Sequence, residues 1–326
     1  MTGSFPSRVE VLMPVRDDWC SAAELVRRID KAIGSHRFSI EVLLVDDGSA
    51  QRCDPADFQG SFSSVRSIRV LRLRRNLGHQ RAIAIGLAHI RARAGCDAVV
   101  VMDADGEDTP DGVIQLVRAY SDNDGTKAIF AERRRRLDSL AFRCFYHLYR
   151  GLHRALTGIS VRVGNFSILP FEYLETLVTL PELWNHYAAA VFRSRLAFAT
   201  TPISRGLRIA GRSRMTFVAL VSHGLSAISV FSDVVGVRVL VASLVGCLLT
   251  LLGIAAVIVI RLFTVMAIPG WATYTAGALI IITVQFITMA SGFTFFMLSS
   301  RANLGFVPLR DYPLFVMEEA GIYSHV

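Results

Sequence analysis

Lysine is nearly absent from this 326-residue chain: of 35 basic residues only Lys31 and Lys127 are lysines. Guanidinium forks suit phosphate, but a G+C-rich genome leaves the same bias, and most of the arginines are read that way. Cysteine is scarce too. Cys20, Cys53, Cys96, Cys144 and Cys247 form no C-x-x-C pair and are odd in number, which excludes a disulfide framework and a zinc ribbon and points to a reduced, cytosolic setting. The first residues lack a basic start followed by an apolar run, so no removed signal peptide is expected. Neither G-x-x-x-x-G-K-[ST] nor G-x-G-x-x-G occurs, which excludes a P-loop and the dinucleotide fingerprint. Charge itself is missing from one region: between residues 239 and 300 the single charged side chain is Arg261.

What is present is apolar residues, at 52%, too many for a disordered chain and unevenly placed. Val239 to Ile260 and Thr273 to Leu298 are uncharged and about 33 and 39 Å long as helices, enough to cross a hydrocarbon core. The short connection at Pro269, Gly270 and Trp271 makes them a hairpin. Arg238, Arg301 and Arg310 flank the outer ends, which places both termini in the cytoplasm. The remaining charge is asymmetric as well. Residues 1 to 132 hold 17 basic and 19 acidic side chains, whereas 133 to 238 hold 15 and 5. Because the basic stretch runs into the spans, its expected partner is the anionic bilayer surface and no nucleic acid.

Short apolar runs at Val9 to Val15, Val42 to Val45, Ile68 to Leu73 and Ala98 to Met102 alternate with helical patterns, as in an α/β fold with a mostly parallel sheet. Ser21 with Glu24 predicts a capping box for a helix reaching Gly34. A second helix is predicted from His79 to Ala94, closed by Gly95, and Thr109 and Pro110 predict the start of a third. Acidic residues follow the strands: Asp17 and Asp18, Asp46 and Asp47, then Asp103 and Asp105. That edge is where open α/β sheets bind ligands. D-D-G-S at Asp46 to Ser49 also reads as a plain turn. Asp103, Asp105, Glu107 and Asp108 repel one another unless a cation compensates, and hard oxygen ligands suit Mg²⁺ or Mn²⁺. A solvated acidic loop is the alternative.

Taken in order, V-L-M-P-V at Val11 to Val15, V-D-D-G-S at Val45 to Ser49, R-N-L-G-H-Q at Arg75 to Gln80 and M-D-A-D-G-E-D at Met102 to Asp108 resemble a family 2 glycosyltransferase with a GT-A fold. The later R-x-x-R-x-A-G-x-S-R series at Arg205 to Arg214 and the two spans narrow the resemblance to polyprenyl-phosphate glycosyltransferases, relatives of dolichol-phosphate mannose synthase. The resemblance implies that Pro14, Asp18, Asp46, Asp103, Ala104, Arg208 and Arg214 hold the nucleotide sugar. It implies that Asp103 and Asp105 form the D-x-D pair around ribose, diphosphate and metal, with Glu107 a further oxygen ligand; the candidate catalytic residues are Asp103, Asp105, Arg133 and Asn165. Departures are Asp17 for Asn, Glu107 for Gln, Ile203 for Tyr, Ser204 for Glu, Arg214 for Lys and Met215 for Tyr. Asn165, in G-N-F-S, stands where many relatives carry Asp.

A lipid phosphate is already anionic and needs no strong base, so an amide at 165 mildly favours a phosphate acceptor over a hydroxyl. Leu137 to Leu156 reads as an interfacial helix, with Arg143, His147, Arg150 and Arg154 on one face; a solvated basic face is the alternative. Arg133, Arg136 and Arg143 are candidates for the acceptor phosphate. The expected domains are a cytoplasmic GT-A domain over 1 to 232, a transmembrane hairpin over 233 to 300 and a cytoplasmic tail over 301 to 326. The expected activity is inverting, metal-dependent transfer from a UDP- or GDP-sugar to a polyprenyl phosphate at the cytoplasmic face of the inner membrane. The sequence leaves open a lipid-hydroxyl acceptor, a catalytically silent nucleotide-sugar-binding protein and a homo-oligomer.

Overall fold

A computed structural model describes residues 5–34, 36, 38–133, 151–158, 163–210, 217–264, 270–302 and 305–325. The four apolar runs become β1 (Arg8–Val15), β2 (Ser39–Asp46), β3 (Val65–Leu73) and β4 (Ala98–Val101), parallel and side by side in the order β3-β2-β1-β4. Helices cover both faces, which is why these strands read as unbroken apolar runs. Against one face, α1 (Trp19–Ile33) and α3 (Pro110–Asp122) pack on Val9, Val11, Met13, Val42 and Leu44. Against the other, α2 (His79–Arg93) packs on Leu12, Leu43 and Val45.

Helix ends follow the sequence unevenly. Thr109 caps α3, its Oγ1 accepting from Gly112 N at 3.1 Å with Pro110 just inside. α1 has no capping box. It starts at Trp19, Ser21 is buried within its first turn, and Glu24 pairs with Arg27 and Arg28 one turn on. A serine turned into the core cannot reach back to the helix N-terminus. α2 closes through two residues in the left-handed region, Ala94 at φ 57° and Gly95 at φ 114°.

The sheet is completed by β5 (Ala128–Arg133), β6 (Val163–Pro170), β7 (Phe198–Ile203) and β8 (Val316–Ser324), in the order β7-β5-β6-β4-β1-β2-β3-β8. The β5/β7 pairing is parallel; the β4/β6, β5/β6 and β3/β8 pairings are antiparallel. The strand order reverses beside β1, between β2 and β4. A crevice therefore opens at the C-terminal ends of β1 and β4.

β8 corrects the reading of residues 301 to 326 as a tail. The segment returns to the sheet, where Tyr323 stacks edge-on against Phe62 at 4.8 Å and Phe306 and Phe315 flank Trp184. Arg69 of β3 pairs with Glu319 of β8 at 3.0 Å and with Glu10 of β1 at 2.5 Å. The aromatic residues and the complement of Arg69 make edge pairing more favourable than exposure to water.

By internal contacts the chain divides into two units, one of Met1–Tyr146, Val161–Val230 and Gly305–Val326, the other of His147–Ser160 and Phe231–Leu304. The second is built on α6 (Ser232–Phe263) and α7 (Trp271–Ala302), following α4 (Tyr187–Arg193) and α5 (Phe217–Ser229) of the first. Both long helices are long and apolar enough to cross a membrane, with mean hydropathies of 2.7 and 1.9 over their most apolar windows. Only 17% and 6% of those windows are buried, which argues against core helices of a water-soluble fold. They pack on each other through Gly236, Ser243, Thr250 and Val257, a seven-residue spacing, and Thr283 Oγ1 donates to Thr250 Oγ1 at 2.8 Å. Small residues let helices approach closely where no hydrophobic driving force acts.

Of the expected interfacial helix, the part up to 150, with Arg136, Arg143, His147 and Arg150, lies outside the described residues. Residues 151–157 are helical, and Arg238 Nη1 donates to the carbonyl of Ala155 at 2.6 Å, a cation at the helix C-terminus.

Candidate active site

Three loops meet at the crevice. After β1, the Asp17 backbone takes φ 51°, its N–H donates to Ser49 Oγ at 2.9 Å and its Oδ1 accepts from Ala50 N at 2.7 Å. The loops after β1 and β2 are thereby laced together. The D-D-G-S turn is held by its own carboxylates. Asp46 accepts from Ser49 N at 2.8 Å and faces Arg72 Nε at 3.7 Å, while Asp47 accepts from Leu77 N and Gly78 N at 2.7 and 2.9 Å. Gly48, at φ 69°, lies so close to the next loop that a Cβ would stand 2.5 Å from Asn76 N. Asp47 thus spends both oxygens on the backbone, whereas Asp46 spends Oδ1 on the turn and points Oδ2 toward Arg72. Burial raises the Asp47 pKa, opposed by those two backbone N–H donors.

The third loop alternates. Asp103, Asp105 and Glu107 are partly exposed, whereas Ala104, Gly106 and Asp108 turn inward. Asp108 accepts from Asp103 N at 2.9 Å and closes the loop; Ala104 packs in the core, and Pro14 is buried within β1. These last two shape the crevice through backbone placement. Asp18 makes no capping bond to α1, and its charge reaches Asp105. Burial raises the Asp105 pKa, Asp103 adds to the rise, and Arg208 and Arg205 oppose it. A carboxylate crowded this way gains from any cation that reaches it.

Two arginines from the loop after β7 do so. Arg208 Nη2 lies 2.6 Å from Asp105 Oδ2, and Arg205 pairs with Glu107. Gly206 N and Ile209 N donate to the carbonyls of Glu107 and Asp105, both at 2.9 Å, so the two loops lie flat on each other. Gly106, at φ 86°, has no room for a Cβ, which would come 2.5 Å from Ile209 Cγ1.

On the other side of Asp103 stands a polar chain in which the sequence singled out Asn165 as a site but neither His79 nor Gln80. Gln80 Oε1 accepts from Tyr187 N at 2.7 Å, and Gln80 Nε2 donates to Asn165 Oδ1 at 3.2 Å. Asn165 Nδ2 lies 3.0 Å from His79 Nε2, which lies 3.1 Å from Asp103 Oδ1. Burial lowers the His79 pKa, but Asp103, Asp47 and Asp108 outweigh it and raise it overall. Beyond this chain, His186 Nε2 meets His223 Nε2 at 3.3 Å, linking the start of α4 to α5. The signal for His79 and Gln80 was R-N-L-G-H-Q, a polar pair at a helix start beside a strand end. Arg133 is the last residue of β5, and its side chain, like all of Arg136, Arg143 and Arg214, lies outside the described residues.

The profile of the family described as Glycosyl transferase family 2 matches residues 10–178, more than half of the chain and all three crevice loops after β1, β2 and β4. The chain belongs to glycosyltransferase family 2. This glycosyltransferase is 28% identical over 302 residues to an undecaprenyl-phosphate 4-deoxy-4-formamido-L-arabinose transferase of Edwardsiella ictaluri, covering 86% of each chain. It is 24% identical over 273 residues to the uncharacterized glycosyltransferase YkcC of Bacillus subtilis, covering 81% of this chain and 80% of the relative. Among solved structures it is similar to glucosyl-3-phosphoglycerate synthase of Mycobacterium tuberculosis in complex with Mn²⁺, UDP-glucose and phosphoglyceric acid. That match has a TM-score of 0.50 at 17% identity and covers 71% of this chain and 80% of the other, and it supports the shared fold.

Among the described residues no three His, Cys, Asp or Glu side chains converge into a ready-made metal cage. The glycosyltransferase nevertheless has the donors a hard divalent cation takes. Asp103, Asp105 and Glu107 carry oxygen ligands on one loop, and at Asp105 and Glu107 the compensating positive charge is supplied by guanidinium groups.

Proposed function

We propose that this glycosyltransferase moves a sugar from a UDP- or GDP-sugar to a polyprenyl phosphate at the cytoplasmic face of the membrane, with inversion at the sugar C1. The observation that carries the reading is the position of Asn165, an amide hydrogen-bonded to Gln80 and His79 beside the metal-binding loop. An amide cannot take a proton from an acceptor hydroxyl. A phosphate monoester needs no such base near neutral pH, because its oxygen is already anionic. The 86% mutual coverage with an undecaprenyl-phosphate transferase supports the same acceptor.

Asp103, Asp105 and Glu107 would hold Mg²⁺ or Mn²⁺, which supplies charge neutralisation for the departing diphosphate. Arg208 binds and orients that diphosphate from the facing loop, with Arg214 assigned the same task by its place in the motif. His79 holds Asp103 from behind, and Asn165 fixes the imidazole. Arg133, Arg136 and Arg143 are the candidates to bind the lipid phosphate, and α6 and α7 keep the enzyme at the bilayer where that lipid resides.

The decisive experiment incubates detergent-purified protein with Mn²⁺, radiolabelled UDP- and GDP-sugars and undecaprenyl phosphate, then extracts labelled lipid. Label in a mild-acid-labile, alkali-stable phosphodiester is the expected result. Label only in a phosphate-free O-glycoside would replace the phosphate acceptor with a hydroxyl.

A further inference from the structure

The arginine loop occupies the carboxylates that a cation is expected to bind. Arg208 and Arg205 pair with Asp105 and Glu107 across about a hundred residues of sequence, and the main-chain bonds from Gly206 and Ile209 hold that arrangement in register. Gly206 is part of the fit, since a Cβ there would stand 2.8 Å from the carbonyl of Gly106. Both arginines are nevertheless half used. Among the described residues their buried Nε atoms have no hydrogen-bond partner, and Arg208 Nε lies 4.0 Å from Glu107 Oε1. A guanidinium has five N–H donors in a fixed fork, and leaving one buried and unmade carries a desolvation cost. A group that completes both forks must offer several anionic oxygens at once, as a diphosphate does.

Resting on the donor-site reading above, we propose that Arg205 and Arg208 act as a surrogate cation. In the donor-free enzyme they hold Asp105 and Glu107; when the divalent cation takes those carboxylates, both forks transfer to the donor's diphosphate. This makes Arg205 a donor-binding residue alongside Arg208. It also couples the two ligands. A cation arriving alone must displace two guanidinium groups from their carboxylates, so it binds weakly. Arriving with a diphosphate, it displaces them onto phosphate oxygens, so each ligand tightens the other reciprocally.

The test is a titration of the full-length protein in detergent with Mn²⁺, read from the EPR signal of free Mn²⁺, with Mn²⁺ alone and again with saturating UDP or GDP. For the wild type, one of the two nucleotides is expected to tighten Mn²⁺ by about tenfold or more, the size of a typical coupling. Arg205→Ala and the closer isostere Arg205→Gln should bind Mn²⁺ alone about threefold more tightly than wild type, the order expected for losing one competing ion pair. The enhancement by nucleotide should shrink in both. Arg205→Lys keeps the competing charge and should stay near wild type for Mn²⁺ alone. Unchanged or weaker binding of Mn²⁺ alone in both neutral variants, at wild-type melting temperature, overturns the surrogate-cation proposal. A wild type that binds no Mn²⁺ with either nucleotide overturns the donor-site reading itself.

Discussion

The side-chain amide of Asn165 lies 3.0 Å from His79 Nε2, and the same ring nitrogen lies 3.1 Å from Asp103 Oδ1. One ring nitrogen cannot accept from an amide and donate to a carboxylate at once. Tyr187 N holds the Gln80 oxygen and so turns the Gln80 amide to Asn165 Oδ1, which leaves Asn165 presenting its own amide N–H to the ring and favouring an imidazole with unprotonated Nε2. A carboxylate at 165 would favour the charged imidazole alone and place a second negative charge beside Asp103. Asn165→Asp should therefore lower turnover with a polyprenyl phosphate, by about tenfold, while melting temperature changes little. Single-turnover transfer to labelled lipid checks this. A rise in turnover would instead indicate an acceptor that needs a base.

Asp105→Asn addresses the metal loop. Burial and Asp103 raise the Asp105 pKa, so its charge is tolerated mainly through Arg208 and Arg205, and removing it relieves repulsion as well as losing an ion pair. Stability should shift by no more than about 1 kcal/mol. Turnover should fall by about a hundredfold or more, since charge on the leaving diphosphate loses its counterion. Product assay and thermal melting on the same preparation separate the two effects.

A pH dependence of stability is expected from the cluster that fastens β8. Burial, with Glu41 and Glu319 nearby, pushes the Glu10 pKa up to about 7, although Arg69 and Arg93 oppose the rise. The folded protein then keeps a proton that the unfolded chain releases near the ordinary value of 4.5. The contribution from this group is full below pH 4.5 and is lost as pH rises through 7, on the order of 3 kcal/mol in all. Melting temperatures from pH 5 to 8 should show this decline, and Glu10→Gln should flatten it. An unchanged slope in the variant would assign the dependence to other groups.

Topology is open to single-cysteine labelling in a background lacking the five native cysteines. Thr264→Cys, at the exposed end of α6, should react with an impermeant maleimide from the outer face. Ala320→Cys, exposed on β8, should react only after permeabilisation. The opposite pattern would put the catalytic unit on the side without nucleotide sugars.

Sequence and structure agree where the signal is local. The four parallel strands were legible because a strand buried on both faces is a short apolar run, and α3 because Thr109 and Pro110 carry their meaning within one turn. The two long helices were legible because no other element needs so many uncharged residues in succession. The carboxylate loop stood out because four like charges in six residues need a reason to be together.

The sheet edge at β8, the occupation of Asp105 and Glu107 by arginines, and the path from Tyr187 through Gln80 and Asn165 to His79 were decided only by tertiary structure. Glu319 reads as an ordinary charged residue in a tail until Arg69, 250 positions earlier, is found beside it. Arg208 and Asp105 are 103 positions apart, Asn165 and His79 86, and nothing in the period or composition of either segment encodes the partner. The sequence by itself determined which elements form and which chemistry they can carry, because periodicity, caps and crowded charge act over a few residues. Which charges meet was determined by the order in which strands join the sheet, because that order alone brings loops from distant parts of the chain to one edge.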